Sequence, residues 1–513
     1  MTRLFEQLRR SKPRKTRTYD DDAHASILPC EGVGMAAPLP WTNGPALSSA
    51  EHVDHLLSRI GERDHALHSV LVTHPDAMST AIARDTEVRD GSPRGPLHGV
   101  PVLVKDNVDT ADLPTTAGSL ALAGLRPASD APIVRRLRAA GVVVLGKTNL
   151  SEWANIRSPH STSGWSAVGG LTLNPWAAGR SAGGSSSGSG AAVAAGFAPL
   201  AVGSETDGSI VCPASFNGVV GIKPTVGLLP GEGIVPISTS QDTAGPMARS
   251  VGEAAVLLDA MADGRGRFAA SCGATTAAEA LSGLRLGVAR GCWTEHPGTD
   301  AVAEDVLGLL SRHGATLVDP ADIPRLPSYD ASDDELTVLL HELRRDLAAY
   351  LATRPDGAPR TLEDVVAFNL AHADEELLWF GQEFLELALT DDYRDVERYR
   401  AARERGVRAT RDEGIDQVLG EHGLDVLVAP AYGPAPFADL VAGDHILGGA
   451  VTAAPAVAGY PIVCVPMGIV HGLPVGLAIV GTARSEETLL RAARGVELAV
   501  GLHEAGALQP PGW

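Results

Sequence analysis

The sequence predicts an α/β fold: a central mixed β-sheet covered by helices on both faces, with a helical insert at about 330–420. Three observations carry this expectation. Short Val/Ile/Leu-rich runs alternate with helical stretches along most of the 513 residues, the rhythm of strand–helix–strand units. These runs are apolar at consecutive positions, as in strands buried on both faces. Between about 330 and 420 the chain instead becomes charged and helical.

Residues 1–45 read as an irregular extension and 46–513 as a single domain. Ser48-Ser49-Ala50-Glu51 is a capping box, and Val53, Leu56, Leu57 and Ile60 follow at helical spacing. A second helix is expected over about 75–90. Gly99 to Asn107 reads as a buried strand ending in polar residues, and a helix at Ala131–Ala140 feeds a strand at Val142–Leu145. Residues 155–190 are Gly/Ser/Asn-rich and aperiodic, and a loop that long in a compact chain is usually functional. A small-residue helix (Gly188–Gly196), a strand (Leu200–Gly203), a tight turn and a strand (Gly218–Ile222) follow. Next come a helix near 250–262 and a strand near Leu284–Val288.

The charged region carries expected capping boxes at Ser332…Glu335 and Thr361…Asp364. Its stripe of Leu336, Leu339, Leu340 and Leu343 reads as core packing, with a substrate entrance or dimer face as alternatives. Val426–Pro430 resumes the strands. Ile446 to Ala483 has no Asp, Glu, Lys or Arg, so length alone would permit a membrane span. Pro455, Pro461, Pro466 and Pro474 break every such window, and Ile462–Val465 and Val475–Val480 read as buried strands. A helix at about 485–500 closes the chain.

Hydrophobic residues make up 44% and charged residues 20%, enough apolar material for a large core. The net charge is −20; the first 17 residues carry +6, leaving −26 on the rest. An acidic body argues against nucleic acid and anionic membranes as partners. Met1–Arg17 has no apolar stretch typical of a secretory signal, so a cytoplasmic protein is expected. Leu4, Phe5 and Leu8 could form a surface-binding stripe, but the Lys/Arg run and Asp20-Asp21-Asp22 favour a tail. Five scattered cysteines (Cys30, Cys212, Cys272, Cys292, Cys464) with no CxxC read as isolated thiols, neither a disulfide framework nor a metal site.

The densest signal is Ser181 to Gly190, Ser-Ala-Gly-Gly-Ser-Ser-Ser-Gly-Ser-Gly, followed by Asp207-Gly208-Ser209. It fits neither a P-loop nor a dinucleotide fingerprint. From the residues alone, a structural turn and a site both remain open. Serine needs a base to become a nucleophile, and no His lies between His98 and His160 or between His160 and His296. Lys105 is the better candidate: it ends an apolar strand, where desolvation would favour the neutral amine. The competing reading is a solvated or carboxylate-paired lysine beside Asp106.

At this point the residues resemble a known family, the amidase signature enzymes, which are Ser-Ser-Lys amide hydrolases. The signature Gly-Gly-Ser-Ser-x-Gly is Gly183 to Gly188; Gly208-Ser209-Ile210 and Pro213 supply the second element, and Lys105-Asp106-Asn107 the third. The match runs from about Gly95 to Ser250, with weaker similarity beyond. Gly146–Asn155, Glu205–Ala214 and Gln241–Ser250 are most similar to the bacterial peptide amidases within that family.

The resemblance implies the amidase-signature fold and an activity: removal of peptide C-terminal amides with release of ammonia. It implies Ser209 as nucleophile, Ser185 as bridging serine on a cis bond with Gly184, and Lys105 as base. It also implies an oxyanion hole of Thr206, Asp207, Gly208 and Ser209 N–H groups, and substrate contacts at Asn155, Ser186 and Asp207. No metal or cofactor is expected, and the partners are a small amide or amidated peptide, with the chain a monomer or homodimer. Alternatives are an amidase for aryl-acyl or small aliphatic amides, an amidotransferase A-type subunit, or a non-catalytic binding protein. The chain departs from the family at Val211, where many members have Arg; at Asp207, where they often have Gly; and at Ser204, where they often have Thr. Val211 with Cys212-Pro213-Ala214 is therefore expected to make an apolar, uncharged site wall that disfavours a free carboxylate.

Overall fold

The computed structural model describes residues 47–262, 266–503 and 505–513. The expectations for the irregular extension and its basic stripe, and for Cys30, lie outside these residues.

The strands alternate their side chains between two cores. Val102 and Val104 point into one, with Val144, Leu200 and Val202; Leu103 points into the other, with Val143, Leu145 and Ala201. That period of two gives a sheet buried on both faces. The strands are β1 (Val70–Thr73), β2 (Pro101–Lys105), β3 (Val143–Thr148), β4 (Trp165–Ser166), β5 (Gly170–Leu171), β6 (Leu200–Glu205), β7 (Val220–Lys223), β8 (Thr243–Ala248), β9 (Arg285–Val288), β10 (Thr316–Val318), β11 (Val426–Pro430), β12 (Ile462–Val470) and β13 (Leu473–Val480). Among the described residues the main sheet has 11 strands in the order β1-β3-β2-β6-β8-β7-β12-β13-β11-β9-β10. It is mixed: β3, β2 and β6 run parallel, as do β11, β9 and β10, and the other neighbours are antiparallel. β4 and β5 form a separate small hairpin.

Helices Pro132–Ala139, Val251–Ala262, Pro297–Arg312 and Glu486–Val500 cover one face. Helices Ser49–Arg63, Ser187–Ala194, Val211–Asn217 and Ala450–Ala458 contribute to the other core. The first helix opens on the expected box, with Ser48 and Glu51 capping each other. The Thr361–Asp364 box is also present. The Ser332–Glu335 box is not: Asp333 is the cap position, the Ser332 hydroxyl donates to the Tyr329 carbonyl at 2.7 Å, and Glu335 accepts from Gln241 Nε2 at 2.9 Å. A tertiary partner outcompetes the local cap there.

Three elements differ from the sequence expectation. The tight turn after β6 contains a helix, Val211–Asn217, with Pro213 in its first turn, where no N–H is needed. It is buried throughout, so no polar face betrayed it. β8 contains Gly245 and Pro246; Pro246 is tolerated because β7 pairs with β8 only as far as Met247. Helix Ala450–Ala458 carries Pro455 inside it. The proline-broken segment after it folds as the hairpin β12–β13, with no helix among the described residues long and apolar enough to cross a membrane.

The region 330–420 is helical as expected, from Leu326–Asp330 to Asp416–His422. Leu340 and Leu343 are buried in a third core with Ala117, Leu122, Trp153 and Ile237, and Leu336 and Leu339 pack against it. The insert thus packs on the loops beyond the ends of the strands.

Candidate active site

The site lies at the C-terminal ends of parallel strands β2 and β6, where open α/β sheets place their ligands. Lys105 is the last residue of β2, fully buried. Its Nζ donates to Ser185 Oγ at 2.9 Å, Ser204 Oγ at 3.0 Å and the Ser204 carbonyl at 3.2 Å. Burial lowers its pKa to about 7; the charges of Glu205 and Asp242 oppose this and do not prevail. The neighbouring Asp106 does not pair with it. Asp106 turns to Lys147 at 3.0 Å and to the Thr116 hydroxyl. So the carboxylate that would have held Lys105 charged is spent elsewhere.

The Gly/Ser run passes Lys105 and enters helix Ser187–Ala194. The Gly184–Ser185 peptide bond is cis. A Cβ on Gly184 would run into the Ser151 hydroxyl, so only glycine allows this approach. The Ser185 carbonyl accepts from Ser151 N at 3.1 Å, and Ser186 N donates to the Ser209 carbonyl at 3.0 Å, tying the run to the turn that follows β6.

That turn, Thr206 to Ser209, carries the remaining groups. Glu205, at the end of β6, accepts from Ile210 N at 2.6 Å and Val211 N at 2.9 Å and so clamps the turn onto its helix. Thr206 Oγ1 donates to Asp242 Oδ1 at 2.6 Å, a buried carboxyl that burial pushes up to about 7. Gly208 has φ +73, and a Cβ there would meet the Tyr432 hydroxyl. The N–H groups of Thr206, Asp207, Gly208 and Ser209 have no protein acceptor among the described residues. Ser209 is 7% exposed, and its Oγ faces a cavity without a protein hydrogen bond among the described residues.

This cavity, about 250 Å³, is lined by Asn155, Thr206 to Ser209, Leu339, Tyr432, Asp444 and apolar neighbours. Trp153, Ala154 and Asn155 all have positive φ (49, 54 and 77), a strained backbone that aims Asn155 at the cavity. Asp207 and Asn155 each present a buried side-chain oxygen, Oδ1, with no partner among the described residues. Burial raises the Asp207 pKa, while a Thr452 hydrogen bond and Lys223 oppose it. Glu335, from the insert, is raised to about 8 by burial and the Asp207 charge.

Two sequence expectations need correction. Ser186 does not line the cavity; it is fully buried, and its hydroxyl donates to the Ser204 carbonyl at 2.9 Å and accepts from Ser204 N at 3.2 Å. Its role is to hold the end of β6. Val211 is buried in the core, and of Val211 to Ala214 only Cys212 reaches the cavity. The wall is not uncharged either, since Asp207 and Asp444 line it and, among the described residues, no Lys or Arg does. Tyr432 and Asp444 had no local signal, because they arrive from distant segments, whereas Leu339 belongs to the leucine stripe for which a substrate entrance is an alternative reading. Ser204 was visible only as a departure from the family pattern, yet it bonds Lys105 twice.

A family model described as Amidase matches residues 51–490. The chain is 36% identical over 491 residues to a probable amidase of Arabidopsis thaliana, covering 91% of this chain and 89% of the relative. It is 34% identical to the A-type subunit of the glutamyl-tRNA(Gln) amidotransferase of Symbiobacterium thermophilum, covering 90% and 95%. The crystal structure of native peptide amidase from Stenotrophomonas maltophilia superposes with a TM-score of 0.82 at 45% identity, covering 90% of this chain and 97% of that one.

Proposed function

The chain belongs to the amidase family, and on that premise we propose that it removes the C-terminal amide of peptides, releasing ammonia through an acyl-enzyme on Ser209. As a member it is an amide hydrolase acting on linear C–N amide bonds. The observation that carries the site assignment is the juxtaposition of a buried Lys105–Ser185 hydrogen bond of 2.9 Å with Ser209 and the unpaired amides of its turn.

Neutral Lys105 accepts the Ser185 proton as Ser185 accepts the Ser209 proton. Ser209 Oγ bonds to the amide carbon, and the carbonyl oxygen becomes an oxyanion held by N–H groups of Thr206 to Ser209. The proton on Lys105 returns through Ser185 to the amide nitrogen. The C–N bond then breaks, ammonia leaves, and the ester remains. Water, deprotonated by the same pair, cleaves the ester and restores Ser209.

Two observations support a peptidyl amide as substrate. One is the 45% identity to peptide amidase over 90% of the chain. The other is the carboxylate lining at Asp207 and Asp444, which repels the product carboxylate and leaves a neutral carboxamide unopposed. Incubating one peptide in amidated and free-acid forms tests this. The amidated form should gain about 1 Da as NH₂ becomes OH, and neither form should fragment. Internal fragments, or turnover of aryl-acyl or small aliphatic amides alone, would reject the peptidyl assignment.

A further inference from the structure

Asp207 has a feature that turn bracing does not explain. The residue lines the cavity that holds Ser209, and its Oδ1 is buried with no hydrogen-bond partner among the described residues. Across the same cavity Asn155 Oδ1 is in the same condition. Buried acceptors are rarely left unpaired, because desolvating them costs free energy that only a donor restores. Two such oxygens on one cavity fit a ligand rich in N–H groups.

The amide carbon has three substituents to place. Its oxygen must face the amides of Thr206 to Ser209. Its leaving nitrogen must face Ser185 and Lys105, which return the proton. The α-carbon therefore takes the remaining direction, against the rest of the wall. In a peptidyl or aminoacyl amide other than one ending in peptide-linked proline, that carbon carries a nitrogen with at least one N–H; in a purely hydrocarbon acyl amide it carries none.

We propose that Asp207 Oδ1 accepts an N–H from the nitrogen on the last α-carbon of the substrate and so selects α-amino acid and peptidyl amides over amides with a carbon-only acyl chain. This rests on the amidase reading of Ser209 above and names what that site recognises. Val211 and its neighbours do not supply the selection, because they are withdrawn into the core.

The test is ammonia release from N-acetyl-phenylalaninamide and from 3-phenylpropanamide, which differ only by the acetamido group on the α-carbon. The wild-type protein should favour the first in kcat/KM by about 10- to 100-fold, the range of one hydrogen bond to a charged group. Asp207→Ala should bring that ratio to within about threefold, and Asp207→Asn, which keeps a neutral acceptor, should retain part of it. If Asp207 merely braces the turn, Asp207→Ala slows both substrates by the same factor and the ratio survives, which overturns the proposal. A wild-type ratio near one with robust turnover also overturns it while leaving amide hydrolysis standing. Release from neither substrate, or from any peptide amide, would reject the underlying amidase reading and this inference with it.

Discussion

Lys105 can serve as the proposed base only because it is dry. Its ammonium is fully buried, its acceptors are a carbonyl and two hydroxyls, and Asp106 is engaged by Lys147 instead. Desolvation lowers its pKa to about 7. The proposed base is its deprotonated form, so activity should rise with pH through about 7 and level off above it. Lys105→Arg should be inactive over the whole range, because a guanidinium stays protonated; a pH–rate profile on both proteins decides this, and an active arginine variant would place the base elsewhere. Ser209→Ala should lose on the order of 10⁴-fold or more in kcat with an unchanged melting curve, since it removes the proposed nucleophile of a unit that acts together. Residual activity within tenfold of wild type would reject Ser209 as nucleophile.

At the scale of elements, the helical insert is fastened to the site by a buried ion cluster. Arg157 pairs with Glu152 through Nη1 and donates to the Glu376 carbonyl at 2.6 Å, with the Glu376 carboxylate 3.7 Å away. Its guanidinium lies 4.1 Å from the Phe380 ring centroid and 5.0 Å from that of Trp165. Glu376 in turn accepts from Ser119 Oγ at 2.9 Å and Leu120 N at 2.7 Å. Removing the cation leaves two buried carboxylates uncompensated. Arg157→Met should therefore cost about 3–5 kcal/mol in denaturant unfolding, and should lower kcat/KM because residues 153–155 sit on the same segment. A loss below about 1 kcal/mol would mean that water enters and solvates the acids.

The cluster also shows where sequence reading stops. Lys105, Ser185 and Ser209 stood out as candidates because glycine-rich turns and a lysine after an apolar run are locally unusual, but the residues alone left a structural turn and a carboxylate-paired lysine open, and the roles came from the family resemblance. The helix Ser49–Arg63 was legible for a similar reason: its box and its apolar spacing are both local. Arg157 was not, because its partners are 5 and 219 residues away and nothing near it marks a buried charge. Helix Val211–Asn217 escaped because a helix buried all round has no periodicity to read. Ser332 and Glu335 matched a capping pattern, but Gln241, 94 residues away, claimed the glutamate. The unpaired oxygens of Asp207 and Asn155 belong to the same class, since burial without a partner is a property of three-dimensional packing.

For the whole molecule the governing quantity is charge. The chain carries −20 overall, and its cavity is lined by Asp207 and Asp444 with no lysine or arginine among the described residues. Burial first, and then the Asp207 charge, raise Asp330 to about 6. A negative field attracts cationic substrates and repels anionic ones. Salt shortens its reach, from about 30 Å at 0.01 M ionic strength to less than about 8 Å above physiological strength. The kcat/KM of an amidated peptide containing Lys or Arg should therefore fall by several-fold between about 0.01 and 0.3 M NaCl. A Glu-containing peptide amide should gain over the same range, and a neutral one should change little. The charge-free cavity lining expected from Val211 to Ala214 would give the three peptides the same salt dependence near the site. Because the structure instead puts two carboxylates on the wall, the spread between cationic and anionic substrates should narrow in Asp444→Asn even at low salt, where the rest of the acidic surface is unscreened. An unchanged spread in that variant would assign the discrimination to the distant surface charge rather than to the cavity.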